Sequence, residues 1–175
     1  QTTDTPTNNF ATGNVLAPHN SSNRIMSEGN LKIANSAGTW ASIPSSIAVS
    51  SGKWYVEYKM DSIGGSGLCA VGICEPQGFP VDNDNGSVGN TTYGTATYGY
   101  YNPNGYKYVN GTASSYGDSF ATNDIISIAL NLDDNEVIFY KNGTAQDSGT
   151  AISITDTEYV FVVSNYNGVT VSQNF

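Results

Sequence analysis

The sequence predicts an all-β domain, two antiparallel sheets packed as a sandwich, on three observations. Apolar and polar residues alternate at period two over residues 54–61 and again over 125–133, the spacing that puts one face of a strand in a core and the other in water. No apolar stripe of helical period is sustained anywhere. Only 12% of the residues are charged, while Gly, Ser, Thr and Asn are abundant, which suits short strands joined by tight polar turns. The 175 residues amount to one domain, enough chain to bury about 70% of its unfolded surface.

Residues 1–27 are polar and irregular, with Pro6 and Pro18 blocking regular structure, and read as an arm leading into a sandwich of residues 28–175. Phe10, Val15 and Leu16 are the arm's candidate anchors. From Asn30 onward strand follows strand. Over 54–61, Trp54, Val56, Tyr58 and Met60 face the core and Tyr55, Glu57, Lys59 and Asp61 the wetter side. The alternation thus assigns Trp54 to the core, whereas Trp40 lies in a stretch of small residues that assigns it no side. Cys69 and Cys74, the only cysteines, point to opposite faces of an extended segment and read as packing residues, not a disulfide. Ile126, Ile128, Leu130 and Leu132 repeat the alternation against Ile125, Ser127, Ala129, Asn131 and Asp133. Asp133-Asp134-Asn135 turns the chain, residues 137–140 return as a hairpin partner, and Asn142-Gly143 supplies the positive-φ pair of a tight reversal. Strands are expected near 158–164 and 169–175 with Asn165-Tyr166-Asn167-Gly168 as the turn between them, so that the chain ends inside the sheet.

The formal charge of −9, from 15 acidic and 6 basic side chains, leaves no Lys/Arg stripe for a phosphate backbone or anionic lipid, so no nucleic acid is expected as a partner. Without a run of about 18 apolar residues, and with neither a basic n-region nor an apolar h-region at Gln1-Thr2-Thr3-Asp4-Thr5-Pro6, neither membrane insertion nor a signal peptide is expected. Two cysteines and one histidine give no zinc-finger spacing and no Cys/His catalytic arrangement, and His19 reads as an exposed loop residue. No cofactor or metal is expected. Asp82-Asn83-Asp84-Asn85-Gly86 is rich in oxygen ligands, but Gly86 falls one place early for an EF-hand and no Glu closes the loop. It reads as a solvated turn, with Asp82 and Asp84 the residues to test for a metal. No pair of carboxylates is nominated for glycoside hydrolysis, since Asp133 and Asp134 are neighbours in a turn. Asn20, Asn90, Asn110 and Asn142 each begin an Asn-X-Ser/Thr triplet.

Three segments in this order and spacing resemble a known family: Ser50-Ser51-Gly52-Lys53-Trp54-Tyr55-Val56-Glu57, then Ala70-Val71-Gly72-Ile73, then Asp124-Ile125-Ile126 running through Leu130, Leu132 and Asp133 into Phe139-Tyr140-Lys141-Asn142-Gly143. They resemble the SPRY domain, and specifically its versions in bacteriophage and environmental viral structural proteins. Val169-Thr170-Val171-Ser172-Gln173-Asn174-Phe175 resembles the family's last strand. Asn9-Phe10-Ala11-Thr12 followed by Ser27-Glu28-Gly29-Asn30-Leu31 resembles the lead-in of viral members. Where the family commonly has a Gly-Asp pair and a second Gly before the central strand, this chain has Asn123-Asp124 and Ser127. The resemblance implies a bent, concanavalin-like sandwich whose loops bind at one rim, and it implies recognition and assembly instead of catalysis.

Tyr93, Tyr98, Tyr100, Tyr101, Tyr106, Tyr108 and Tyr116 are seven of the chain's twelve tyrosines. The first six are the candidate ligand-binding residues, because a tyrosine offers a rigid apolar face with one polar tip that stacks on sugar rings or protein side chains. The competing reading is that alternating tyrosines cover one another across a sheet. With the viral-type resemblance they lead to the expectation of a non-enzymatic virion surface or structural module: a tail fibre, spike or capsid decoration touching host-surface glycan or neighbouring virion subunits. The alternatives are a homo-oligomeric filament or shell protomer joined through residues 1–27, and a secreted carbohydrate-binding module. The expected location is the virion surface or the extracellular space.

Overall fold

A computed structural model of the chain describes residues 10–17, 24–79, 86–94 and 96–175. Within these the alternating segments are strands: β1 (Arg24–Ser27), β2 (Lys32–Asn35), β3 (Ala41–Pro44), β4 (Lys53–Ile63), β5 (Leu68–Cys74), β6 (Thr97–Tyr101), β7 (Tyr106–Val109), β8 (Thr112–Ser115), β9 (Ile125–Asn131), β10 (Glu136–Lys141), β11 (Thr144–Ala145), β12 (Ile152–Ser153), β13 (Val160–Tyr166) and β14 (Val169–Asn174). The first sheet runs β1-β2-β14-β4-β9-β10-β11, with β12 also on β10; the second runs β3-β13-β5-β6-β7-β8. All pairings within both sheets are antiparallel. The only helical turns among the described residues are three single 3₁₀ turns. The predicted all-β sandwich is what the chain forms.

The core lies between the sheets, where Val56, Tyr58 and Met60 of β4 and Ile126, Ile128 and Leu130 of β9 meet Val71 and Ile73 of β5 and Phe161 and Val163 of β13. Cys69 is buried in this core and Cys74 in a second, smaller one on the outer face of the second sheet. Both thiols are free, as the alternation of strand side chains requires. Three two-residue reversals have both central residues at positive φ: Asn110-Gly111, Asn142-Gly143 and Asn167-Gly168. In that geometry the turn twist matches the strand twist, and Asn and Gly tolerate it best. The last is tighter than the expected four-residue turn, because β13 continues through Tyr166.

Elsewhere the fold departs from expectation. Arg24–Ser27, placed by the sequence at the end of the arm, is an edge strand of the first sheet. Of the three expected anchors Leu16 is 86% exposed and pins nothing, Val15 is 46% exposed, and Phe10, 43% exposed, lies beside Ile47 and Phe175. Residues 12–17 are held instead by backbone bonds, Asn14 N to Pro44 O at 2.8 Å and Ser46 N to Thr12 O at 2.7 Å, and by burial of Ala17. Trp54 has the parity of Val56 and Tyr58, yet the residue is 46% exposed. It sits at the open end of the sandwich with Nε1 donating to Ser51 O at 2.7 Å. Asn123 stands at φ 73°, the left-handed conformation for which glycine is the usual residue and asparagine the next best. His19, Asp82 and Asp84 lie outside the described residues.

Burial pushes the thiols of Cys69 and Cys74 well above the ordinary range, the nearby Glu75 adding to the shift at Cys74. Only the thiolate attacks a disulfide reagent. Native protein at about pH 8 is therefore expected to be inert to 5,5′-dithiobis(2-nitrobenzoate) over minutes and to release colour from both thiols in denaturant without reductant. Fast native reaction would contradict the burial of the two side chains.

Candidate functional site: an aromatic rim beside the second sheet

Strand β6 places Tyr98 and Tyr100 in the core, so Thr97, Gly99 and Tyr101 face outward. Residues 86–94 lie directly over Gly99: a Cβ there would stand 2.2 Å from Val88 O. Val88 N donates to Ser164 Oγ at 2.9 Å and Gly89 N to Thr97 Oγ1 at 2.8 Å. Ser42 Oγ donates to Ser164 Oγ at 2.6 Å, and the Tyr93 hydroxyl reaches Ser42 Oγ and, at 3.1 Å, the Gly86 carbonyl. This strap covers the smaller core of Ala70, Cys74, Phe79, Val88, Tyr93, Val160 and Val162.

Beside the strap four turns, at residues 36–39, 64–67, 102–105 and 167–168, converge on one rim of the sandwich. Asn167 N bonds Ala37 O at 2.8 Å, Gly168 N bonds Asn35 O at 2.8 Å, and Gly64 N bonds Gly168 O at 3.3 Å. Asn167 Nδ2 donates to Ser66 Oγ at 2.6 Å, and Asn102 Oδ1 accepts from Cys69 N at 2.7 Å. Buried Asn35 ties the turn it begins to β13, its Nδ2 donating to Thr39 O and Asn165 O, each at 2.8 Å. On this rim the Trp40 ring lies 5.6 Å from Tyr166 and 6.1 Å from Tyr101, and Tyr101 lies 5.6 Å from Tyr108, edge to face. All four rings are half-buried, and burial raises the Tyr101 phenol, aided by Tyr108.

The six predicted site residues therefore divide. Tyr93, Tyr98 and Tyr100 are at most 1% exposed and are core residues, since no ligand reaches them without opening the fold. Thr155 N donates to the Tyr98 hydroxyl at 3.1 Å, while the Tyr100 hydroxyl donates to Asp118 O and lies 3.2 Å from Gln146 Oε1. Tyr101 and Tyr108 belong to the rim. Tyr106 is 38% exposed on β7. Trp40 and Tyr166 were not predicted, because both lie outside the tyrosine-rich stretch of residues 93–116; the one available signal for Tyr166 was its place in an Asn/Gly turn. Among the described residues no group of three His, Cys, Asp or Glu side chains is placed to hold a metal ion. The rim offers flat apolar faces edged with hydroxyls, amides and turn backbone, an arrangement that stacks and hydrogen-bonds.

The sequence profile of the SPRY domain matches residues 53–175. The chain belongs to the SPRY domain family. Over 126 residues it is 30% identical to Ran-binding protein 9 of Xenopus laevis, covering 67% of this chain and 22% of that protein. Human Ran-binding protein 9 is 31% identical over 98 residues, which cover 55% of this chain and 12% of that protein. The probable ATP-dependent RNA helicase ddx1 of Dictyostelium discoideum is 29% identical over 122 residues, which cover 70% of this chain and 14% of that protein. This SPRY domain thus spans about a fifth or less of these relatives. Among solved structures, the human HERC1 SPRY domain superposes with a TM-score of 0.65 at 21% identity, over 86% of this chain and 91% of that one. A second human SPRY domain gives 0.68 at 16% identity, over 87% and 95%.

These relatives overturn the viral reading. The SPRY resemblance holds, but the matched proteins are animal and slime-mould proteins that carry the names of a Ran-binding protein and an RNA helicase. The expected virion module, its filament and secreted carbohydrate-binding alternatives, and the virion or extracellular location are withdrawn. The residues that carried the resemblance are strand and turn residues of the fold, so they report architecture and not setting.

The strap over Gly99 makes a specific demand on this SPRY domain. Gly99→Ala forces Val88 off the sheet and is expected to cost about 2 kcal/mol or more, while Tyr93→Phe, which removes one buried hydroxyl, costs about 1–2 kcal/mol. Urea unfolding with an unchanged slope measures both. A neutral Gly99→Ala would contradict the close approach.

Proposed function

We propose that this SPRY domain is a protein-interaction module that holds a short segment of a partner protein against the rim of Trp40, Tyr101, Tyr108 and Tyr166. The observation that carries the reading is the contiguous row of half-buried rings beside turns fixed by hydrogen bonds. Rigid aromatic rings give a large contact area with little rotamer entropy to lose, and a surface already in its bound shape loses less on binding. None of the residues in the four turns is charged, so the favoured segment is itself uncharged, with an apolar or aromatic anchor and free backbone groups for the asparagine side chains. Membership of a family of interaction domains supports a protein partner, as does a relative named for binding Ran. That relative is matched over only 22% of its length, so Ran itself is not carried over to this chain. Binding, not catalysis, is the role proposed.

Linear peptides selected on the immobilised domain from a display library test this. Trp40→Ala and Tyr101→Ala are each expected to weaken the selected peptides by about tenfold or more, the loss of one aromatic anchor. Leu16→Ser, at a position 86% exposed, is expected to change nothing. Fluorescence polarisation gives the affinities and thermal melts show that the variants stay folded. Undiminished binding by both rim variants refutes the reading.

A further inference from the structure

The five lysines, Lys32, Lys53, Lys59, Lys107 and Lys141, all stand within 4 Å of a carboxylate. The acidic excess is thus left where no lysine reaches, and part of it borders a depression on the outer face of the first sheet. Cross-strand register sets three rows there: Lys53, Asn131 and Glu136; Tyr55, Ala129 and Ile138; Glu57, Ser127 and Tyr140. The middle strand carries the small residues and the flanking strands the large ones. With strands about 4.8 Å apart, this leaves a trough about 10 Å wide, and the hollow has a volume of about 350 Å³. Trp54 and Tyr55 also wall an adjoining apolar hollow of about 190 Å³, lined by Phe10, Ile47, Phe161 and Phe175.

Trp54 and Tyr55 are 46% and 52% exposed, and Phe10 and Ile47 are 43% and 38% exposed. The wall is stiff, because Trp54 Nε1 is held by Ser51 O, Gly52 N by Asp133 Oδ1 at 3.0 Å, and Leu132 N by Gly52 O at 3.0 Å. Lys53 is matched by Asp134 at 3.8 Å. Glu136 accepts from Asn131 Nδ2 at 3.2 Å and Glu57 from the Tyr55 hydroxyl at 3.1 Å. No lysine or arginine among the described residues forms an ion pair with either.

We infer that the paired hollows around Trp54 and Tyr55 are a second docking surface, for a protein segment with a bulky apolar residue beside an arginine or lysine. The apolar side chain fills the hollow of Phe10, Ile47 and Trp54. The cation lies over the Tyr55 ring between Glu57 and Glu136, where the ring face and two uncompensated carboxylates attract it together. Arginine fits better than lysine because its planar guanidinium stacks on the ring while bonding a carboxylate. The overall charge of −9 steers such a segment inward and repels acidic ones. Residues 1–9 of the chain have neither a cation nor a large apolar side chain and carry Asp4, so their chemistry does not match.

The two tryptophans provide the test, since each reports one surface. Nitrogen-15-labelled full chain is titrated with N-acetyl-leucyl-arginine amide and, separately, with the citrulline analogue, which keeps the shape and removes the charge. The two indole resonances are assigned with Trp40→Phe and Trp54→Phe. The expected result is a saturable shift of the Trp54 indole, at least about tenfold weaker with citrulline and abolished in Glu57→Gln/Glu136→Gln, with the Trp40 indole unmoved. A stationary Trp54 indole up to about 10 mM probe, equal response to both probes, or movement of Trp40 alone overturns the inference. Because the proposed function is read at Trp40 and this surface at Trp54, the two fail separately.

Discussion

Strand β4 is the constraint on which the rest depends. It is paired along both edges, to β14 on one side and β9 on the other, so its backbone groups are satisfied and its register is fixed twice. A slip of one residue would turn Val56, Tyr58 and Met60 outward and bury Glu57 and Lys59. Once β4 is fixed, β9 sets β10, β14 sets β2 and then β1, and the inward side chains define the surface onto which the second sheet closes. Both candidate surfaces are placed by its ends: Trp54 and Tyr55 by its start, and the turn at residues 64–67 by its finish.

The parts of the fold legible in the sequence are those where a local pattern and the tertiary environment agree. Residues 54–61 and 125–133 alternate because one face is buried, and Asn142-Gly143 reverses the chain because both residues accept positive φ. Alternation gives direction, however, not coverage. Trp54 points to the core side like Val56, but it borders a hollow that leaves it 46% exposed, and only the packed fold reveals that. The tyrosines show the same limit. Tyr98, Tyr100 and Tyr101 are nearly consecutive and identical in chemistry, yet parity sends the first two inward or leaves the third outward, and the strap decides that Tyr93 is buried. Trp40 and Tyr166 meet through the pairing of β3 with β13, a long-range event with no trace in local composition.

The strap also explains why serines and a tyrosine hydroxyl sit on a face that would otherwise be apolar. A loop laid across a sheet brings backbone donors into a dry place, where an unpaired N–H is costly. Ser42, Ser164, Thr97 and Tyr93 meet that cost for Val88, Gly89 and the Gly86 carbonyl. The two glycines of the crossing, Gly89 and Gly99, are set by clearance: a Cβ on Gly89 would lie 2.9 Å from Gly99 N and one on Gly99 2.2 Å from Val88 O. Stability and the proposed recognition are coupled here, since Tyr101 packs against this smaller core and presents its ring to Trp40.

At about 3.3 Å per residue, the length of β4 puts the two surfaces about 30 Å apart, beyond the reach of direct screened charge interactions at physiological salt. Their chemistry differs as well, one an uncharged aromatic rim and the other an apolar hollow edged by carboxylates. A segment suited to one is penalised at the other: the cation that pairs with Glu57 and Glu136 would lose water at the rim without gaining a carboxylate, and an uncharged segment leaves those carboxylates unmatched. Sites so separated, one beside each sheet of the sandwich, share no side chain, so their energies add. On these two proposals a single domain of this size engages two partners, or two segments of one partner, through independent contacts, and in the second case the gain comes from linkage between the segments and not from any movement within the sandwich.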